Sequence, residues 1–298
     1  MKMCPRSRCA LLLAAAFSLA APPARPQADK PAATKSGFVT AADGVKIHYM
    51  EAGKGTAILF VPGFTAPAWM WEKQINHFAE MHHVVAMDPR AQGESSQTAE
   101  GLYPVARAGD IKAVVDQLKL APVVLVGWSM AAAEVAAYVD QFGTDTLAAL
   151  VFVDGWAGRD YDPASLPDMW QWVPGFQKDR RKWTEEFVHS NYLFKNRQPD
   201  VYLQRLTEAM LHTPTNSAIA IWVGFFTSDF RPALAKIDKP ALIIAAKEGA
   251  FVSICQDMQK RIRGSRLEVM ENVGHALFVD EPEGFNSLLE NLINGLAR

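Results

Sequence analysis

The sequence predicts an α/β fold in which a doubly wound, mostly parallel sheet lies between two layers of helices. Short, continuous apolar runs recur along the chain, and stretches with helical patterning separate them. Runs that are apolar on both faces are typical of strands in a parallel sheet that helices cover on both sides. One long interval without a strand pattern predicts a helical insertion into this fold.

The expected strands begin with one that alternates apolar and polar residues, followed by five continuous apolar runs and a short last strand. They cover residues 45–50, 57–61, 83–87, 123–126, 149–153, 241–245 and 267–270. Helices are expected around residues 69–80, 103–118, 131–142, 252–262 and 283–296. This alternation of strands and helices is typical of a doubly wound sheet.

Residues 157–231 interrupt the alternation, because they contain helix formers and many aromatic residues but no buried-strand pattern. The plain explanation is a helical excursion that packs on its own aromatic side chains. Ligand pockets are usually lined by apolar and aromatic side chains. We therefore favour a helical cap over residues 157–231 that supplies a wall of an apolar pocket. The surrounding core is expected over residues 37–156 and 232–298.

The first 27 residues have the pattern of a secretory signal peptide. Basic residues precede the apolar run at 10–20, and small residues and prolines follow it. An uncleaved anchor is the alternative, although the run is short for a membrane span. Residues 28–36 are expected to form a linker. The mature protein is then secreted or periplasmic, is not stably inserted in a membrane, and keeps only Cys255, so it has no internal disulfide.

The overall composition excludes some partners. Hydrophobic residues make up 49% of the chain and charged residues 21%, as in ordinary soluble globular proteins. The formal net charge is −2, and the basic residues are scattered. There is no electrostatic basis for binding nucleic acid.

The strongest chemical signal is the serine in Gly127-Trp-Ser129-Met-Ala131, which lies between a buried-strand pattern and an alanine-rich helical pattern. A turn this tight needs small residues on both sides of the serine, and it exposes the hydroxyl at the strand end. The following helix N-terminus and the free N–H of Met130 favour a developing negative charge there. The pattern indicates that Ser129 is a nucleophile.

A serine nucleophile needs a base, and the base needs an acid that orients it. His275 is the expected base, because it follows the last predicted strand and comes after Ser129 in the chain. Gly274 leaves the backbone free to bring it near the strand ends. Asp280, five residues further on, is expected to start a helix before Pro282.

Over residues 38–296 the chain resembles the α/β-hydrolase superfamily. The matching landmarks are Val61-Pro-Gly-Phe64, Met87-Asp-Pro-Arg-Ala-Gln-Gly-Glu-Ser95, the Ser129 turn and Gly274-His275. The resemblance implies an oxyanion hole made by the backbone N–H groups of Phe64 and Met130. It also implies a Ser-His-acid triad that works without a metal or an organic cofactor.

The acid is where the chain departs from the family. The usual acid follows the seventh strand, but Gly249 aligns with it and Glu248 lies one residue early. Some members place the acid after the sixth strand instead, and Asp154 stands there. We favour Asp154, with Glu248 or no acid at all as the alternatives.

These residues predict a secreted serine hydrolase that cleaves small-molecule carboxylic esters through an acyl-enzyme, with Ser129, His275 and Asp154 as its catalytic residues. The aromatic residues at 157–231 favour apolar or aryl substrates. A perhydrolase or lactonase could use the same residues, and a catalytically inactive binding protein could share the fold. Peroxide-dependent turnover would distinguish a perhydrolase from an esterase, and absence of turnover would indicate a binding protein.

Overall fold

The computed structural model describes residues 33–158 and 172–296. The predicted signal peptide, residues 28–32 of the predicted linker and residues 159–171 of the predicted cap lie outside them. Eight strands form one sheet in the order β1-β2-β4-β3-β5-β6-β7-β8. They are β1 (Lys35–Thr40), β2 (Lys46–Ala52), β3 (Thr56–Val61), β4 (His82–Met87), β5 (Val123–Trp128), β6 (Leu147–Val153), β7 (Ala241–Ala246) and β8 (Arg266–Met270).

Only β2 breaks the parallel arrangement. Strand β2 runs antiparallel to β1 and to β4, and all the other neighbouring strands pair in parallel. The predicted doubly wound, mostly parallel sheet is confirmed. Strand β1 begins at Lys35, within the stretch predicted as a linker.

The parallel register brings several strand ends to one edge. Val61 at the end of β3 pairs with Gly127 of β5, and Trp128 at the end of β5 pairs with Val153 of β6. Val153 in turn pairs with Ile244 of β7. Residues that directly follow β3, β5, β6 and β7 are therefore neighbours in space, at the edge where α/β proteins bind ligands.

Helices cover both faces of this sheet. The described helices are α1 (Glu72–Phe78), α2 (Pro104–Gln117), α3 (Ala131–Phe142), α4 (Trp172–Lys178), α5 (Arg180–Val188), α6 (Asp200–Leu211), α7 (Thr215–Phe226), α8 (Arg231–Leu234), α9 (Val252–Arg261), α10 (Leu277–Asp280) and α11 (Pro282–Leu296). Helices α1 and α11 pack on one face of the sheet, and α2, α3 and α9 pack on the other. Within the described residues, no helix has the length and apolar character needed to cross a bilayer.

Helices α4 to α7, residues 172–226, lie between β6 and β7, and we call them the helical insert. Their aromatic side chains form a separate apolar cluster with residues that follow β3 and β5, among them Phe64 and Met130. Gly158 and Asp229 form an isolated antiparallel bridge where the chain leaves and re-enters the core. The insert therefore packs at the same sheet edge as the strand ends. Its limits as a cap domain stay a prediction.

Candidate active site

Ser129 occupies the turn between β5 and α3. Its φ of +59° lies in the left-handed region that residues other than glycine seldom adopt. A Cβ atom at Gly127 would lie 2.7 Å from Val135 Cγ2 and 2.8 Å from the carbonyl oxygen of Ala131. The strand and helix thus approach so closely that only glycine fits at position 127. This close approach holds the strained serine at the strand end.

Three polar side chains meet at this point in a hydrogen-bonded chain. Ser129 Oγ lies 2.8 Å from His275 Nε2, and His275 Nδ1 lies 2.7 Å from Asp154 Oδ2. Asp154 is fully buried, and His275 is 5% exposed. Because the carboxylate can only accept, Nδ1 carries the imidazole proton and Nε2 accepts from the serine hydroxyl. The three side chains are arranged as a nucleophile, a base and an orienting acid require.

Asp154 is bonded to β7 through both its side chain and its backbone. Its Oδ1 accepts from the backbone N–H of Ala246 at 2.9 Å, and its own backbone N–H donates to the carbonyl of Ile244 at 2.7 Å. Asp154 also has a positive φ, of +41°. Glu248, the alternative acid, is exposed in the turn after β7. The structure therefore places Asp154 at His275.

The predicted oxyanion residues flank the serine. A Cβ atom at Gly63 would lie only 2.7 Å from Ser129 Cβ and 3.2 Å from Ser129 Oγ, so the loop after β3 passes directly beside Ser129. Phe64 and Met130 both line the cavity that contains Ser129. Within residues 33–158 and 172–296, the backbone N–H groups of Phe64 and Met130 donate to no protein acceptor. Two donors are thus available beside Ser129 Oγ.

The backbone around His275 is bonded to the helical insert. The N–H of His275 donates to the carbonyl of Tyr192 at 2.8 Å, and the N–H of Ala276 donates to that of Leu193 at 3.0 Å. A Cβ atom at Gly274 would lie 2.7 Å from the carbonyl oxygen of Leu193, so the two backbones can approach this closely only at a glycine. His275 is therefore held by residues from the insert as well as from the core.

Asp280 ties the same two segments together. Its carboxylate accepts from the backbone N–H groups of Gly274 at 2.7 Å, Lys195 at 2.7 Å and Asn196 at 3.2 Å. The prediction that Asp280 starts a helix is wrong, because it is the last residue of α10. Short-range helix-capping patterns predicted that role, whereas the carboxylate forms long-range contacts with the insert.

Two aromatic rings hold the imidazole of His275 in place. Tyr192 and Phe251 each stack on it, with ring centroids 5.0 Å and 5.3 Å away. Trp128 Nε1 also donates to the carbonyl of His275 at 2.8 Å. The sequence pattern predicts none of these contacts, because the residues come from separate segments and share no motif.

A cavity of about 380 Å³ opens onto Ser129 and His275. Most of its wall is aromatic. Its lining residues are Phe64, Ser129, Met130, Trp156, Trp172, Trp183, Phe187, Tyr192, Trp222, Phe225, Phe226, Ala250, Phe251, Ile254 and His275. None of these lining residues carries a carboxylate, an ammonium or a guanidinium group. The cavity thus combines the Ser129 hydroxyl with an uncharged, aromatic wall.

Among the residues that the structure describes, neither the nearby cysteine nor a metal-binding cluster offers a second reactive group. Cys255 is buried beneath the loop that carries Asp154, and burial, together with the charge of Asp154, raises the pKa of its thiol to about 12. In the part of the chain that the structure describes, no cluster of three or more His, Cys, Asp or Glu side chains could hold a metal ion. The prediction that no metal or cofactor is needed stays a prediction.

Comparison with known proteins is consistent with this architecture. The chain is 28% identical over 272 residues to a non-heme haloperoxidase of Rhodococcus erythropolis, a match that covers 86% of this chain and 98% of that protein. It is 30% identical over 233 residues to a bifunctional esterase/perhydrolase of Acinetobacter calcoaceticus, covering 72% and 83% of the two chains. An esterase from Exiguobacterium antarcticum superposes with a TM-score of 0.79 at 26% identity, covering 88% of this chain and 99% of the other.

The family model of the alpha/beta hydrolase fold matches residues 56–282, which include the β3 loop, the serine turn, Asp154 and His275. The mostly parallel, eight-stranded sheet covered by helices is consistent with that fold. The chain therefore belongs to the α/β-hydrolase fold family.

Proposed function

We propose that the protein is a serine hydrolase that cleaves carboxylic esters. The observation that carries this proposal is the hydrogen-bonded chain from Asp154 through His275 to Ser129 Oγ, at 2.7 Å and 2.8 Å. A serine that donates to an imidazole, whose other nitrogen donates to a buried carboxylate, is prepared for nucleophilic attack. Relatives that include an esterase and an esterase/perhydrolase support the same reaction class.

The reaction then proceeds in two halves. Ser129 Oγ attacks the carbonyl carbon while His275 Nε2 takes its proton, and the N–H groups of Phe64 and Met130 donate to the resulting oxyanion. The intermediate collapses, the alcohol leaves with the proton from His275, and an acyl-enzyme remains. Water then attacks the acyl carbon in the same way and releases the acid. Asp154 stabilises the imidazolium in both halves.

The cavity favours uncharged substrates with apolar or aryl groups. Its wall is formed by aromatic side chains of the core and of the helical insert, and it offers no cation to a substrate carboxylate. Burying a charged group there without a partner would cost several kcal/mol, on the order of the cost for isolated buried ions. We propose that residues 157–231 act as a cap that supplies this wall.

We also propose that the protein is exported to the periplasm or beyond the cell, because residues 1–27 have the pattern of a signal peptide. Mass spectrometry of the protein isolated separately from the medium, the cell envelope and the cytoplasm of native cells tests this. Export predicts a mature chain that begins near residue 28. A full-length chain in the cytoplasm would contradict it.

Hydrolysis of p-nitrophenyl acetate and butyrate tests the main proposal. The native protein should hydrolyse both esters and should be labelled by a fluorophosphonate probe, whereas Ser129→Ala should lose both properties. Ser287→Ala is a matched control, because Ser287 lies on α11, where its hydroxyl bonds only to the helix backbone. A native protein that is folded but neither hydrolyses an activated ester nor takes up the probe would contradict the proposal and favour a binding role.

A perhydrolase activity is the second candidate, favoured by the relative that is an esterase/perhydrolase. Hydrogen peroxide would replace water as the nucleophile that attacks the acyl-enzyme, so a peracid would be released in place of the acid. Assays with an ester and added peroxide, measuring peracid, separate the two reactions. A lactonase would use the same steps on a cyclic ester, and a panel of lactones tests it.

A further inference from the structure

A chain of buried polar side chains lies behind the loop that carries Phe64. Gln92 is fully buried, and its Nε2 donates to the carbonyl of Gly63 at 2.9 Å and to that of Ala66 at 3.0 Å. Arg107 Nη2 donates to Gln92 Oε1 at 2.9 Å. One side chain thus holds both ends of the loop from Gly63 to Ala66.

The orientation of the Gln92 amide follows from its partners. A guanidinium can only donate, so the group that faces Arg107 must be the amide oxygen. A backbone carbonyl can only accept, so the group that faces Gly63 and Ala66 must be the amide nitrogen. The two requirements agree and leave no alternative orientation of the Gln92 side chain.

Arg107 is fixed in turn by the helix that follows the serine. Its Nε donates to Glu134 Oε1 at 2.7 Å, and both residues are only 2% exposed. Glu134 lies in the first turn of α3, five residues after Ser129. The contacts therefore connect the helix after the nucleophile to the loop after β3 through Arg107 and Gln92.

The Gly63 carbonyl and the Phe64 N–H belong to one peptide unit, which is trans. In a trans peptide the C=O and the N–H point in opposite directions. When Gln92 binds the carbonyl on the side away from the site, the N–H is directed the other way, toward the space beside Ser129 Oγ. A rotated peptide would instead present the carbonyl oxygen to the oxyanion and repel it.

This peptide needs to be held, because Gly63 imposes little resistance to rotation of its own backbone. Glycine is required there by the 2.7 Å approach of Ser129 Cβ to the position of a Gly63 Cβ. Because only glycine fits beside Ser129, the backbone at position 63 lacks the conformational restriction that a larger residue would provide.

We propose that Gln92 is a positioning residue that locks the Gly63–Phe64 peptide with its N–H facing the oxyanion, and that Arg107 and Glu134 hold Gln92 in the orientation this requires. The inference rests on the proposed esterase function. Gln92 touches neither the substrate nor the reacting atoms, so it acts only through the Phe64 donor.

Gln92→Met tests this, because methionine has a similar volume but no donor for the Gly63 carbonyl. Loss of one oxyanion donor lowers kcat by about 10²-fold or more. We expect kcat for p-nitrophenyl butyrate to fall by about 10²-fold with an unchanged KM. The dissociation constant of a butylboronic acid, whose tetrahedral serine adduct places an oxygen in the oxyanion site, should rise by a similar factor.

Gln74→Met is the matched control. Gln74 is also fully buried and donates through Nε2 to two acceptors, the Phe278 carbonyl and Asn286 Oδ1, but not to the oxyanion loop. It should lose similar stability and keep kcat and boronate affinity within about threefold. Equal kinetic losses in the two variants would show a merely structural role for Gln92 and overturn the proposal.

Gln92→Glu keeps an acceptor for Arg107 and nearly the same shape but offers no donor while ionised, so it should show the same loss if Gln92→Met does not fold. Activity within threefold of native in folded Gln92→Met, or in folded Gln92→Glu at a pH above the pKa of the introduced carboxyl, overturns the proposal. The native protein is assayed beside them. If it lacks turnover and fluorophosphonate labelling, the esterase function has failed; if it has both and the Gln92 variants match it, only the positioning role has failed.

Discussion

Replacing Asp154 with asparagine removes a buried charge from His275 and changes little in volume. Asp154 Oδ1 accepts from the N–H of Ala246 at 2.9 Å, and Oδ2 faces His275 Nδ1 at 2.7 Å. In the asparagine variant the amide oxygen satisfies Ala246, and the NH2 group faces the imidazole. Nδ1 must then accept, so Nε2 carries the proton and can no longer take one from Ser129.

The expected loss is large because both the tautomer and the charge are wrong. An amide at this position in a serine triad lowers kcat by about 10⁴-fold. That factor corresponds to about 5.5 kcal/mol in the barrier. The fold should survive, since both hydrogen bonds can still be made with the asparagine side chain.

Hydrolysis of p-nitrophenyl butyrate, followed beside thermal unfolding, measures the effect. Glu248→Gln is the matched control, because Glu248 is an exposed carboxylate in the turn after β7. We expect this variant to keep full activity. The reasoning is refuted if a folded Asp154→Asn retains more than about a tenth of the native kcat. If Glu248→Gln loses activity and Asp154→Asn keeps it, Glu248 is the acid.

Three further outcomes follow from the geometry. Gly274→Ala should force the base loop away from the Leu193 carbonyl, 2.7 Å from the new Cβ, and lower both kcat and the melting temperature; unchanged values of both would contradict the close approach. Cys255 should resist iodoacetamide at about pH 8, because a pKa of about 12 leaves about one thiol in ten thousand ionised, and peptide mapping should find it labelled only after unfolding. Burial lowers the pKa of His48, but the hydrogen bond and charge of Asp88 outweigh this and raise it. The raised pKa stabilises the folded state fully at pH values below the pKa of His48 in the unfolded chain, and this stabilisation is lost as pH rises through its pKa in the folded protein. Denaturant titrations should therefore show that His48→Gln lowers the free energy of unfolding more at about pH 5.5 than at about pH 8.5.

The parts of the fold that local patterns specify could be predicted from the sequence. Buried parallel strands appear as continuous apolar runs, and the turn at Ser129 needs small neighbours that can be seen directly. Strand β1 was harder to predict, since Lys35–Thr40 is an edge strand with mostly exposed side chains and no apolar run. An edge strand needs only one partner and one covered face, so its sequence is weakly constrained.

The identity of the acid shows why part of the site could not be settled in the same way. Asp154 and Glu248 both follow buried strands that end at the same sheet edge. What distinguishes them is backbone direction, namely the positive φ of Asp154 and the Ala246 N–H that receives its carboxylate. Neither is visible as a spacing of residue types.

The bonds between the His275 loop and the helical insert limit how this scaffold could be redesigned. The segment from Tyr192 to Asn196 accepts two backbone hydrogen bonds from the loop of His275 and shares Asp280 with it. A chimaera that exchanges residues 172–226 for the insert of a relative would therefore alter the placement of His275 together with the pocket wall. If the proposed hydrolase function holds, changes to the pocket wall will also change turnover. Grafts that keep residues 190–198 native are expected to vary the pocket wall without moving His275.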